Sequence, residues 1–144
     1  MSGELRDIVA GEPEIFAAWE AAERPYPWSA SQFPSDIGAK NRVFVWEEDG
    51  QPRGFAVLQV VVDEAYILNF MVEARFRRKG VGSMMLQKVM IVARDVGARH
   101  LTLDVDAGNR PAISMYLKAG FATVQRRRKA YPRGEDALVM KKEL

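Results

Sequence analysis

The chain has no cysteine and a single histidine, His100, among its 144 residues. Disulfides, thiolate zinc sites, iron–sulfur clusters, a cysteine nucleophile and any site built from several histidines are thereby excluded. The chemistry has to use oxygen and nitrogen groups. No stretch of 18 consecutive apolar residues occurs, and the first thirty residues show no basic segment followed by an apolar one. Neither a spanning helix nor a secretion leader is expected, and the cytoplasm is the default compartment. Repeats of 20 to 50 residues and low-complexity tracts are absent as well, which removes solenoids and flexible linkers from consideration.

What is present is an ordinary globular composition, 48% hydrophobic and 28% charged. At this length it is expected to form a single domain over residues 1–144. The net charge of +2 conceals a division. Residues 1–73 carry 5 Lys/Arg against 13 Asp/Glu, a balance of −8, whereas residues 74–144 carry 16 against 6, a balance of +10. Such a molecule is suited to an anionic ligand on one side and a cationic one on the other. A nucleic-acid module is disfavoured, because the basic residues lack interleaved stacking aromatics and half of the chain is acidic.

Periodicity gives the order of elements. Leu5 to Val9 reads as a short strand, and Glu12-Pro13-Glu14 opens a helix with an apolar stripe through Ile15, Phe16 and Trp19, ending near Arg24. Pro25-Tyr26-Pro27-Trp28 breaks it, and Ser29 with Gln32 forms a capping-box pattern for a second short helix. Arg42 to Glu47 alternates as a strand, Asp49-Gly50 is a hairpin turn, and Gly54–Val62 and Ala65–Val72 read as buried central strands. A helix is expected from Val81 to Val96 on the stripe Val81, Met85, Val89, Val92 and Val96, with Gly97 as its stop. His100 to Asp106 alternates as a strand, Asn109 caps a helix through Ile113, Tyr116 and Leu117, and two strands, Phe121–Arg127 and Asp136–Lys142, close the chain. The result is a mixed α/β domain.

One segment carries a ligand signal. Arg77-Arg78-Lys79-Gly80-Val81-Gly82 lies between a buried strand and the start of an amphipathic helix, where unpaired N–H groups and the helix dipole favour an anion. Neither the three-glycine dinucleotide pattern nor the P-loop is matched, since Met85 fills the third glycine position and no Gly-Lys-Ser/Thr follows. Three cations ahead of the glycines indicate a pyrophosphate cradle of another kind.

Arg77-x-x-Gly80-x-Gly82 after Leu68-Asn69-Phe70-Met71-Val72, followed by Asn109, Tyr116 and Gly120-Phe121, resembles the GNAT (Gcn5-related N-acetyltransferase) signature in order and spacing. Pro27-Trp28-Ser29, the segment Gln59 to Ala65 and the tail around Arg127-Arg128, Tyr131-Pro132 and Glu135-Asp136-Ala137 resemble its RimI-type branch, which acetylates the N-terminal alanine of a small-subunit ribosomal protein. The resemblance implies an α/β GNAT fold: a mixed central sheet of about seven strands splayed in the middle, with about four helices.

It also implies acetyl-CoA as cosubstrate, no metal, and a protein N-terminal peptide as partner. A monomer or weak dimer is expected, with no membrane and no direct nucleic-acid contact. By the family pattern the backbone of Phe70, Met71 and Val72 meets the pantetheine arm, Arg78, Lys79, Gly80, Val81, Gly82 and Ser83 hold the pyrophosphate, and Arg77 also belongs to the cofactor site. Asn109 would touch the pantetheine, although it is a good helix N-cap without any ligand. Tyr116 matches the family acid that protonates the departing thiolate, although a tyrosine on such a helix also packs in cores.

Asp104 stands where the branch has a glutamate, as the general base. It is about 1.5 Å shorter in reach, one C–C bond, so a water relay, Glu64 or another carboxylate stays open. Glu20, Glu23, Asp63 and Glu64 are candidates to attract a cationic peptide. The run Arg126 to Lys129 is read as a charged edge strand, a ribosomal contact or an attractor of coenzyme A phosphates. The Asp104/Asp106 pair is too small a set for Mg²⁺. Acetylation of a small amine or lysine side chain, or acyl-CoA sensing without catalysis, are the competing functions.

Overall fold

The computed structural model describes residues 3–34 and 40–144. Among these the order is β1 (Gly3–Asp7), α1 (Glu12–Glu23), a 3-10 turn (Ala30–Gln32), β2 (Asn41–Glu48), β3 (Gln51–Val61) and β4 (Glu64–Val72). A second 3-10 turn (Ala74–Phe76), α2 (Val81–Asp95), β5 (His100–Asp106), α3 (Arg110–Lys118), β6 (Ala122–Arg127) and β7 (Ala137–Glu143) follow. The strands form one seven-stranded sheet in the order β1-β2-β3-β4-β5-β7-β6. Only β4 and β5 run parallel, as expected of two strands joined by a helical crossover. The predicted short helix after Trp28 is the first 3-10 turn, with the Ser29 N–H donating to Gln32 Oε1 at 2.8 Å. Three α-helices rather than four therefore cover the sheet among the described residues.

Both faces of the sheet are buried. On one, α2 and α3 lie over Phe44, Leu58, Ile67, Leu101, Leu103 and Met140. On the other, α1 and the first 3-10 turn bring Phe16 and Phe33 onto Phe55, with ring centroids at 4.8 and 5.1 Å, beside Val43, Val45, Val57 and Met71. Two helices bury faces other than the predicted stripes. In α2 the buried face is Val81, Met85, Leu86, Val89, Met90 and Ala93, while Val96 is exposed. A 3.6-residue period carries the stripe from Val89 to Ala93, leaving Val92 at its margin. In α1 Ile15 is exposed, and the buried face is Glu12, Phe16 and Glu20, two carboxylates flanking one ring.

Both acids are offset by arginines. Glu12 accepts from Arg6 Nη1 and Nη2 at 2.9 and 2.7 Å and from the Val9 N–H at 2.9 Å, tying β1 to the start of α1. Burial pushes its carboxyl up, yet the Arg6 guanidinium and the Val9 amide outweigh that and hold it below the usual carboxylate range. Arg24, the C-cap of α1, lies at 3.0 Å from Glu20.

The sheet opens at its centre. Val57 pairs with Asn69 and Leu58 with Ile67, so Leu68 has no partner on β3 and forms a bulge in β4. Its side chain is exposed. Pairing of β4 with β5 covers only Glu64–Ile67 against His100–Leu103 and stops at that bulge. Beyond it Asn69–Val72 and Asp104–Asp106 diverge, with Asp104–Asp106 still held by β7. An extra residue bends its strand and strengthens the local twist, which is the physical cause of the opening.

Candidate active site

The opening leaves this part of the β4 edge without a strand partner, its Phe70 N–H and carbonyl engaged instead by Asn69 and Arg24 and its Val72 carbonyl by Arg77, and what surrounds it is drawn from four elements. Phe70 lies on its α3 side, its ring 6.3 Å from that of Tyr116 at an interplanar angle of 70°. Gly82, in the first turn of α2, is so close to this corner that a Cβ there would stand 3.0 Å from Met115 Sδ, 3.6 Å from Val72 Cγ2 and 4.0 Å from Phe70 Cε1. Strand edge, glycine turn and α3 thus meet at one place. The two glycines serve different needs: Gly82 permits the approach, while Gly80, the N-cap of α2, supplies a left-handed φ of 81°. Arg78 also adopts a positive φ, 62°.

The turn ahead of α2 is built to receive an anion. In the first turn of an α-helix the N–H groups lack intrahelical partners, and the helix dipole places positive potential there. Arg78, Lys79 and Ser83 are exposed beside it. Phe76 gathers further cations: Arg53 lies 4.0 Å from its ring centroid, Arg75 5.5 Å and Lys79 Nζ 5.8 Å. These groups can meet the oxygens of a polyanion. Arg77 differs from its neighbours. Its Nε donates to the Val72 carbonyl at 2.9 Å and its two terminal nitrogens to both oxygens of Glu23, so it fastens the end of β4 to the end of α1.

A buried polar circuit lines the β4 edge. Glu20, with no exposed surface, accepts from the Trp28 N–H at 3.1 Å and Asn69 Nδ2 at 3.2 Å. Arg24 donates to Asn69 Oδ1 and, at 2.7 Å, to the Phe70 carbonyl, and Asn69 Oδ1 also accepts from the Phe70 N–H at 2.8 Å. This circuit leaves little trace in the sequence. Its one local signal was the Glu20/Arg24 spacing of four residues.

Tyr116 is buried in α3, and burial pushes its phenol up to about 12, with the Arg24 charge pulling the other way. Asn109 is the N-cap of α3, its Oδ1 accepting from the Ala112 N–H at 3.4 Å. Asp104 is exposed on the α1 side of β5 and ion-paired with Arg127 across the intervening β7. Asp106 accepts from the Gly108 N–H at 2.7 Å. Tyr131 lies near both acids, and burial followed by these two charges raises its phenol. It stacks on Tyr26 at 6.1 Å, and the Tyr26 hydroxyl sits 3.1 Å from both oxygens of Glu135 and accepts from the Arg133 N–H at 2.9 Å. The segment after α1 and the segment between β6 and β7 therefore meet over the opening.

Other candidates are not brought together. Asp63 and Glu64 lie at the far end of β4, where Glu64 pairs with His100, roughly 25 Å of strand from Val72 at about 3.3 Å per residue. Glu20 and Glu23 are already claimed by Arg24 and Arg77. The four acids do not form one cluster. In the basic run Arg126 pairs with Asp136 and Arg127 with Asp104, so half of it is spent inside the molecule.

Comparison with known proteins places this geometry. The Acetyltransferase (GNAT) family matches residues 12–121. The [ribosomal protein bS18]-alanine N-acetyltransferase of Salmonella typhimurium is 35% identical over 132 residues, covering 88% of this chain and 89% of the relative. The crystal structure of the ribosomal-protein-S18-alanine N-acetyltransferase from Escherichia coli superposes with a TM-score of 0.88 at 30% identity, covering 99% of this chain and 94% of that one. In fold alone, a GNAT family acetyltransferase from Elizabethkingia anophelis with acetyl-CoA bound is also similar, with a TM-score of 0.79 at 17% identity over 99% of this chain and 98% of that one. The chain belongs to the GNAT family of acetyltransferases.

Proposed function

We propose that this enzyme transfers the acetyl group of acetyl-CoA to the N-terminal α-amine of a protein, the N-terminal alanine of a small-subunit ribosomal protein. The observation that carries the transfer is the meeting of the open β4 edge, the Gly80–Ser83 turn and Tyr116 at one corner. The acceptor rests on the bS18-alanine N-acetyltransferases that the chain resembles over most of its length.

The reaction is attack of a neutral amine nitrogen on the thioester carbonyl. The C–N bond forms, the C–S bond breaks, and the sulfur leaves with the electron pair and takes up a proton, while the nitrogen gives one up. Arg78, Lys79 and the amides of the α2 N-terminus hold the phosphates, and the β4 edge at Phe70 to Val72 aligns the pantetheine arm, which there takes the place of side-chain bonds from Asn69, Arg24 and Arg77. Tyr116 serves as the acid. A phenol near 12 lies well above a reference thiol of about 8.5, and at about 1.4 kcal/mol per decade full proton transfer to a thiolate would cost on the order of 5 kcal/mol. Tyr116 therefore acts first as a hydrogen-bond donor to the leaving sulfur, and the proton follows as the bond breaks.

Asp104, the candidate base, is shorter than the family glutamate and faces Arg127, so it takes the proton through solvent. Such indirect help suits an α-amine. With a reference pKa near 7.8, about 14% of an α-amine is neutral at pH 7, against about 0.04% of a lysine side chain. The stacked Tyr26 and Tyr131, with Glu135 beneath, form the mouth through which the peptide approaches.

The test is incubation with acetyl-CoA and a synthetic N-terminal peptide of the bS18 type, beside a lysine peptide and polyamines, read by mass spectrometry. One acetyl on the peptide's α-nitrogen is expected. Acetylation of the lysine peptide or polyamine alone would move the acceptor to those classes. Acetyl-CoA binding without turnover on any amine would make the chain a sensor, the reading to which the Asp104–Arg127 pair lends weight.

A further inference from the structure

We propose that Arg24 is a positioning residue for acetyl transfer, holding a fixed positive charge at the β4 edge that favours charge build-up on Tyr116 and on the sulfur it protonates. The inference rests on the assignment of Tyr116 as the acid and adds a residue to that step.

Four observations bear on it. Arg24 ends α1 immediately before the Pro25–Trp28 segment and donates to the carbonyl of Phe70, the residue whose ring meets Tyr116 edge-on. Its guanidinium is held by acceptors on two elements, Glu20 on α1 and Asn69 on β4, so its position is set by the fold rather than by solvent. Glu20 is completely buried and accepts from Trp28 and Asn69 at Oε1, while its Oε2 faces Arg24 at 3.0 Å with no hydrogen-bond partner, so the ion pair lies with its guanidinium end toward the β4 edge. Finally, the Arg24 charge acts on the Tyr116 phenol in the direction opposite to burial. Arg77 and Glu23, the neighbouring charges, are engaged with each other.

In the step itself the C–S electron pair moves onto sulfur and the Tyr116 proton follows, leaving a phenolate that solvent reprotonates. A buried phenol pays for that charge by losing hydration. A guanidinium already in place lowers the cost without reorganising during the reaction.

The experiment compares Arg24→Met, Arg24→Lys and Tyr116→Phe with the parent enzyme by steady-state kinetics and by calorimetric titration with acetyl-CoA. Because Arg24→Met strands the buried Glu20 carboxylate and can unfold the chain, the double variant Glu20→Gln/Arg24→Met is included, in which neither charge is present. Expected is a fall in kcat of about tenfold or more for Arg24→Met and for the double variant, with acetyl-CoA affinity within about threefold and partial recovery in Arg24→Lys. In the Tyr116→Phe background the same Arg24 change should cost less than about twofold, because the group through which Arg24 acts is gone. Full turnover in Glu20→Gln/Arg24→Met, or an undiminished Arg24 effect on top of Tyr116→Phe, overturns the role of Arg24 while leaving Tyr116 as the acid. An unchanged kcat in Tyr116→Phe alone removes the acid assignment and this inference with it.

Discussion

Two side chains show how single groups set behaviour here. The Tyr116 phenol, at about 12, is protonated throughout the range in which proteins of this kind are assayed. An acid must be protonated to act, so a raised value keeps it competent and its loss would be seen only above that value. Turnover should rise between pH 6 and 9, following deprotonation of the acceptor amine, with no downturn from Tyr116, and an early downturn on the basic side would count against its role. Tyr116→Phe should lower kcat about tenfold or more with acetyl-CoA affinity nearly unchanged, measured by kinetics and calorimetry. The second group is Glu12, whose carboxyl is held below the usual range. A lowered folded value means stability present above the ordinary carboxylate pKa and lost as pH falls through the folded one. Glu12→Gln should cost about 1–3 kcal/mol at pH 7, and the gap should close in acid, as read from urea midpoints at pH 7 and about pH 3.

At the level of elements, β4 carries the greatest consequence. A bulge at Leu68 ends its pairing with β5 and creates the slot. The Asp49-Gly50 hairpin, the helix after Gly80 and the Asn109 cap were legible in the sequence, because each is fixed by neighbouring residues. The bulge was not, since Ala65 to Val72 reads as an almost continuous apolar run broken only by Asn69, and only pairing with β3 decides which residue is skipped. The buried faces of α1 were hidden for a similar reason. Glu12 and Glu20 look like solvent positions until Arg6 and Arg24 are brought beside them. Asp104 and Arg127 are 23 residues apart in sequence and meet only because β7 inserts between β5 and β6. At the head of α2, Gly80→Ala would force an L-residue to φ 81°. It should destabilise the fold by about 1–2 kcal/mol and weaken acetyl-CoA binding, both readable from melting curves with and without ligand.

Across the whole molecule, the change of charge sign falls at the slot. The acidic residues 1–73 build β1 to β4 and α1, and the basic residues 74–144 build the remainder, so the sign changes where β4 ends, beside the slot and at the turn into α2. Phosphates should enter along the basic side, and the KM for acetyl-CoA should rise severalfold between about 0.05 and 0.5 M salt, as steering and exposed ion contacts are screened. A KM indifferent to salt would argue against that approach. The stretch between α1 and β2 has another consequence. Arg24 anchors one end to the β4 edge and Phe33 anchors the other against Phe16 and Phe55. Pro25 to Gln32 thus spans two fixed posts like an interchangeable cassette, and acceptor choice can diverge there through exchange of a few residues while the catalytic scaffold is inherited intact.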